Sequence, residues 1–271
     1  MVSRLPRVWK GCEDMNGEKT VLICEDSMEG IFTAVYDGWL DGAGNREVEV
    51  RVCVPENLEL FCTYRCIETD CEKAGKVMRT ILMKLGVKTY EDICYAAVSR
   101  NPDRGTAIYR VMRKALGNGR CDAGIMEALA DPDVSAVAKL RTKVWHEFHR
   151  YFGFVRFREL GGGILFSKIK PENDILAMLG PHFANRFPNE NWMIYDEGRE
   201  KVLLHRKGEE CTLRSGVTLS REYREELTEK EEYEELWRVF CSSITVQERR
   251  NGKLQQQLVP LKFRDNMLEF S

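Results

Sequence analysis

Four histidines, no CxxC pair and a formal net charge of only -2 remove several short routes to a function. The ten cysteines (Cys12, Cys24, Cys53, Cys62, Cys66, Cys71, Cys94, Cys121, Cys211 and Cys241) are scattered along the chain. Their one dense group, Cys62, Cys66 and Cys71, has C-x3-C-x4-C spacing, which fits neither a zinc ribbon nor the C-x3-C-x2-C of a radical SAM iron–sulfur site. The expectation is free, mostly buried thiols, with no metal and no other cofactor. No apolar stretch approaches the ~20 residues that span a bilayer, and the opening MVSRLPRVWKGCEDMNGEKT lacks an apolar signal core. A cytoplasmic protein without a membrane partner is expected. The near-zero charge gives no global pull toward nucleic acid, so any electrostatic argument must rest on local clusters.

What is present describes an ordinary folded chain: 271 residues, 43% hydrophobic and 31% charged. The pattern predicts a single α+β domain over 1–271, with a mostly antiparallel sheet, a helical insertion and C-terminal helices. TVLICED reads as a strand, SMEGIFTAVYDGWLDG as a helix capped by Ser27, and VEVRVCVP as a second strand stopped by Pro55, which makes 20–70 a strand–helix–strand opening. Residues 71–152 read as helices, 153–210 as hairpins around a broken helix, and 211–271 as mainly helical. Arg100, Arg104, Arg110, Arg113, Lys114 and Arg120 form a cationic run best read as a solvated helix face. REYREELTEKEEYEEL, with eight Glu against three Lys/Arg, reads as an exposed acidic helix.

Residues 145–196 hold three of the four histidines and much of the chemistry. In DVSAVAKLRTKVWHEFHRYFG, Val137, Leu140, Val144, Phe148 and Tyr151 make an apolar stripe, while Lys139, Lys143, His146 and Arg150 gather on the other side at 100° per residue. Between Lys139 and Lys170 eight Lys/Arg stand against two Glu, a local charge of +6. Arg141 falls inside the apolar arc and is expected to pair with a carboxylate from another segment. H-E-F-H at 146–149 has three-residue spacing where a zinc hydrolase needs H-E-x-x-H, so it is not a metal motif. After a helix stop at Gly153, FVRFREL is read as a strand that sets Arg156 and Arg158 side by side, turning through GGG into ILFSKIK. ENDILAMLGPHFANRFP is read as a helix broken at Gly180 and restarted at Pro181, with His182 and Arg186 on one face. NWMIYD and KVLLHRKG form a hairpin, and His205 sits at an exposed-looking strand end without a partner.

Five segments carry a resemblance: EDSMEGIFTAVYDGWLDG, KVWHEFHRYFGFVRFREL, PHFANRFPNENWMIYD, YEELWRVFCSSITVQERRN and VPLKFRDNMLEF. With them the chain resembles, over essentially its full length, the uncharacterised bacterial "probable DNA metabolism protein" family, a radical SAM-linked domain of unknown function. It differs in reading CEDSMEG where that family opens on tyrosine, aspartate and glycine. The resemblance implies a cytoplasmic protein encoded beside a radical SAM protein, or fused in some relatives to a uracil-DNA glycosylase-like domain. It supplies no established catalytic residue, and only the motif positions His149, Arg156, Phe157, Arg158, His182, Phe183, Arg186 and Trp192 carry over.

Three readings stay open. The first is a DNA-repair or DNA-modification accessory protein in which Lys143, Arg150, Arg156, Arg158 and Arg186 hold phosphates and Phe154, Phe157 and Trp192 stack on bases, working with a radical SAM or glycosylase-like partner. The second is an enzyme acting on a nucleotide or DNA base with His149 or His182 as acid/base. The third is a scaffold that meets the radical SAM partner through the acidic helix. Binding is preferred, since spacing brings no nucleophile and base together.

Overall fold

The structure is a computed structural model that describes residues 19–41, 47–55, 57–119, 121–160, 163–218 and 251–267. The described residues divide into two compact units, one of 19–147 with Glu172–Asp174 and one of Phe148–Pro171 with the described residues from Ile175 onward.

The first unit is built on a three-stranded sheet in the order β2-β1-β3. Its central strand β1 (Lys19–Ile23) pairs parallel on both sides and is buried over its last four residues, which is why TVLI reads as an unbroken apolar run. Helix α1 (Met28–Asp41) starts where Ser27 Oγ accepts the Gly30 N–H at 3.0 Å, and it returns the chain to β2 (Glu47–Arg51) in a βαβ unit. A further connection leads to β3 (Cys62–Cys66), a short, partly exposed strand whose CTYRC sequence carries no apolar alternation to announce it. Helix α2 (Cys71–Ala97) is capped by the Asp70 carboxylate, which accepts the Glu72 and Lys73 N–H groups. It kinks at Gly86, whose φ of 86° only glycine adopts without strain.

Helix α3 (Arg104–Leu116) closes the outer edge of β2. The Thr106 hydroxyl accepts the Val50 N–H at 3.1 Å and donates to the Val50 carbonyl at 3.0 Å, so one side chain satisfies both edge groups. That approach needs Gly105, where a Cβ would lie 2.7 Å from the Val50 oxygen. Leu22, Ile31, Phe32, Ile81, Ile93 and Ile108 are fully buried in the core between these elements. Three of the six cations in the expected run meet carboxylates: Arg110 meets Glu47 at 2.9 Å, Lys114 meets Asp131 and Asp133 at 2.5 and 2.7 Å, and Arg104, buried rather than on a solvated face, pairs with Asp26. Arg113 instead lies over the Trp39 ring at 5.1 Å, and Arg120 lies outside the described residues.

Helix α4 (Pro132–Phe154) runs through Gly153 rather than stopping there. Arg141 does find a carboxylate from another segment, Asp92 at 2.8 Å, and lies over Trp145 at 5.8 Å. Glu147, 5% exposed, accepts the Glu172 N–H at 2.9 Å, the Asn173 N–H at 3.0 Å and the Asn173 side-chain amide at 2.6 Å. Asn173 in turn accepts the Arg100 N–H at 2.9 Å, which ties 172–174 to the segment between α2 and α3.

The second unit contains a five-stranded sheet in the order β4-β5-β6-β7-β8: β4 (Arg158–Leu160), β5 (Ile164–Ile169), β6 (Asn191–Asp196), β7 (Lys201–His205) and β8 (Thr212–Ser215). Helix α5 (Leu176–Arg186) joins β5 to β6 and makes that pair parallel, while the other three pairs are antiparallel. One sheet face carries Trp192 and Ile194; the other buries Leu160, Phe166, Tyr195 and Val202 together. The buried Asp196 turns the β6–β7 hairpin by accepting the Gly198 and Arg199 N–H groups, and burial pushes its carboxyl above the ordinary range against the pull of Arg199. Helix α6 (Gly252–Leu258), capped by Asn251, and a 3-10 turn (Leu261–Asn266) complete the described chain.

The α+β class holds, but three of the six strand pairs are parallel, so the sheets are not mostly antiparallel. Periodicity along one strand does not encode the direction of its neighbour; the helical connections after β1 and β5 do. The expected helical start at 211 is instead strand β8, and the acidic helix lies outside the described residues. All eight described cysteines are free, yet only Cys24 is buried, because Cys53, Cys66, Cys71 and Cys121 fall on loops, strand ends and a helix start. Among the described residues no helix is long and apolar enough to cross a membrane.

Candidate functional site

In the second unit the end of α4 and helix α5 bring together rings that the sequence separates by about thirty positions. Phe152 stacks on His182 with centroids 3.8 Å apart and planes 12° from parallel. His149, exposed on α4, touches the same Phe152 at 5.3 Å and Phe148 at 5.2 Å. His182 is edge-on to Phe183 at 4.9 Å, and Phe183 continues to Phe157 and Trp192 at 5.4 and 6.2 Å. Phe157 also meets Phe187 at 5.4 Å, and the exposed Arg186 lies over Phe187 at 5.6 Å. His149, Phe157, His182, Arg186 and Trp192 therefore belong to one connected ring network.

The helix spacing explains the arrangement. Phe148 and Phe152 are four apart on α4, and His182 and Arg186 are four apart on α5, so each helix presents one pair. Pro181 sits inside α5 without breaking it, because the helix runs on to Arg186. His182 Nε2 is buried with no hydrogen-bond partner among the described residues. Burial first, and the neighbouring Arg186 second, hold its pKa below the usual 6.5, so the ring is neutral at pH 7. The folded state thus favours the neutral form: the stabilisation is present above the ordinary histidine pKa and is lost as pH falls through the lower folded value. Thermal melts between about pH 5 and pH 8 should show His182→Phe, which keeps a ring against Phe152, losing less stability on acidification than the parent chain. Parallel curves would remove the effect from His182.

The other expected site residues are placed differently. Trp192 is 1% exposed and stacked on His205 at 5.0 Å, so it is a core residue and offers no face to a base. His205 is itself buried, with Nδ1 3.1 Å from the Glu190 carbonyl, which corrects its reading as an exposed ring without a partner. Arg156 and Arg158 do not share a strand: β4 begins only at Arg158, and the Arg156 guanidinium turns back to donate to the Gly153 and Val155 carbonyls. A cation there answers the negative end of α4. Phe154 is half-buried, 4.6 Å from Phe263. Arg150 is exposed. Lys143 belongs to the first unit, where its amine lies 3.7 Å from Glu172.

Phe152 shows in the sequence only as a position of the helix's apolar arc, and nothing local marks His182 as its partner. Counting back across the DEGR turn would have set His205 opposite Trp192, which is the observed register. Among the described residues no group of three His, Cys, Asp or Glu side chains is placed to hold a metal ion.

No curated protein matches the chain. A solved structure described as a DHH domain, from a member of a family of ribosomal proteins, is 10% identical and covers 72% of this chain and 75% of its own, with a TM-score of 0.32, too low to support a shared fold. The sequence profile of DUF4130, a domain of unknown function, matches residues 102–269, which takes in α3, α4 and every described element of the second unit. That match spans more than half of the 271 residues, and the chain belongs to the DUF4130 family.

Proposed function

We propose that this chain is a cytoplasmic accessory protein of DNA repair or modification that binds single-stranded nucleic acid through the His149–Phe152–His182 patch, in company with a radical SAM or uracil-DNA glycosylase-like partner. The observation that carries this reading is the stack of Phe152 on His182, which joins an exposed imidazole on α4 to a helix face bearing the exposed Arg186. Rings of this kind engage the faces of unpaired bases, which a duplex hides, while Arg150 and Arg186 supply charge for phosphates. Trp192 drops out of the stacking set, and His149 with Phe152 takes its place.

Fluorescence anisotropy with a short single-stranded DNA tests it. Binding should weaken steeply with salt, and Arg150→Ala/Arg186→Ala should lower affinity about tenfold and flatten the log–log salt slope by roughly 1.4, the share of two phosphate contacts on a single strand. Absence of binding at low salt, or a double variant with unchanged slope, would sink the reading. A second reading, catalysis on a nucleotide or base with His182 or His149 as acid/base, draws on the neutral His182 ring and its unpartnered Nε2. The scaffold reading rests on the acidic stretch 221–236, outside the described residues.

A further inference from the structure

We propose that the kink of α2 is a docking surface for an acidic amphipathic helix of a partner protein, a site in the first unit that is independent of the nucleic-acid reading. Leu82, Met83 and Val87, on either side of Gly86, are 39%, 83% and 61% exposed. Arg79, Lys84 and Lys88 are exposed among them along the same helix. A lone exposed aliphatic side chain is ordinary on a protein surface, but three at one break in a helix, interleaved with cations, make a patch.

The backbone holds this patch outward. Gly86 has φ 86° and ψ 170°, a combination open essentially to glycine alone, and it separates Met83 from Val87. The chain is fastened on both sides of the break: the Lys84 carbonyl accepts the Cys121 thiol at 3.1 Å, and the Thr89 hydroxyl donates to the Ala123 carbonyl at 3.5 Å. Ile81, Leu85 and Thr89 are buried in the same stretch, so the outward side chains cannot turn in without unpacking the core.

The cations decide what the patch fits. Arg65, Lys73, Lys76, Arg110 and Lys114 of the same unit each meet a carboxylate at 2.5 to 2.9 Å. Arg79, Lys84 and Lys88 meet none among the described residues. Aliphatic side chains beside unpaired cations match a helix with leucine-type residues on one face and glutamate or aspartate flanking them. They offer no ring to stack on a base, which argues against nucleic acid at this place. An anionic lipid surface fits less well. The Cys121 and Ala123 contacts bring the exposed Asp122 up to the break, and the exposed Glu91 follows Lys88 by three positions, so a broad anionic plane would meet carboxylates as well. A helix, about 10 Å across, touches a much smaller area.

The test is fluorescence anisotropy of a labelled peptide of about 18 residues, leucine on one helical face and glutamate elsewhere, titrated with the full chain. Met83→Ser/Val87→Ser and Lys84→Gln/Lys88→Gln should each weaken binding about tenfold, and both should keep the parent's melting curve because the side chains are exposed. Arg150→Ala/Arg186→Ala should bind the peptide as the parent does, which keeps this result separate from that of the nucleic-acid reading. Absence of peptide binding at low salt, or binding that neither kink variant weakens, would overturn the proposal. So would binding of phosphatidylserine vesicles or single-stranded DNA that the kink variants abolish, since the patch would then belong to a lipid surface or to nucleic acid.

Discussion

Replacing Glu147 by alanine should cost about 3–5 kcal/mol of unfolding free energy, read as a shift of the urea midpoint at unchanged slope. The carboxylate is 5% exposed and accepts three hydrogen bonds, from the Glu172 and Asn173 backbone and from the Asn173 side chain. Alanine leaves those three donors to find other acceptors in a place with little access to water. Glutamine is the sharper variant, because it keeps the shape but turns one accepting oxygen into an amide that faces other donors. It should cost roughly half as much as alanine. Asn173→Ala should lose much of the same stability without adding to Glu147→Ala, since the two act as one unit. A midpoint unmoved by Glu147→Ala would mean that 172–174 are held by other contacts.

Arg104→Met should lower stability by about 3 kcal/mol in the same assay. The side chain is 2% exposed and gives its Nε to the Ala97 carbonyl at 2.8 Å, one terminal nitrogen to the Asn101 carbonyl at 3.0 Å and the other to Asp26. Methionine fills the space but takes the guanidinium from the Ala97 carbonyl at the end of α2, while the Asn101 carbonyl keeps only the residue-104 backbone N–H at 3.4 Å. Asp26→Ala should cost far less, about 1 kcal/mol, because that carboxylate is 75% exposed and water screens the pair. The asymmetry is the point of the comparison: the arginine fastens the α2–α3 segment through backbone carbonyls, and the aspartate is its solvent-side partner. Equal losses for the two variants would assign the stability to the ion pair instead.

Much of this organisation is readable along the chain. The 100° projection of α4 separates the apolar stripe of Val137, Val144 and Tyr151 from the exposed Lys143 and Arg150. It also flags Arg141, which does meet a carboxylate. The same projection sets Glu147 at the edge of that stripe, beside Leu140, where periodicity does not decide burial, and its partners, from twenty-five positions away, are named by no local signal. The β6–β7 hairpin was legible, although the reading of His205 as a partnerless strand end missed the register that sets it opposite Trp192. Strand β3 was not, because CTYRC is a half-exposed edge whose composition looks like a cysteine cluster.

The candidate site divides in the same way. Four-residue spacing by itself pairs Phe148 with Phe152 on α4 and His182 with Arg186 on α5. Helices, most strands, the caps at Ser27 and Asp70 and the absence of a zinc motif follow from the amino-acid order, because propensity, capping and periodicity act between neighbours. Three things were decided only by tertiary structure: the pairing of β3 with β1, the burial of Trp192, and the meeting of Phe152 with His182. Each depends on which distant segment arrives to cover a surface, and that is settled by packing among residues far apart in the chain, where a local pattern is silent.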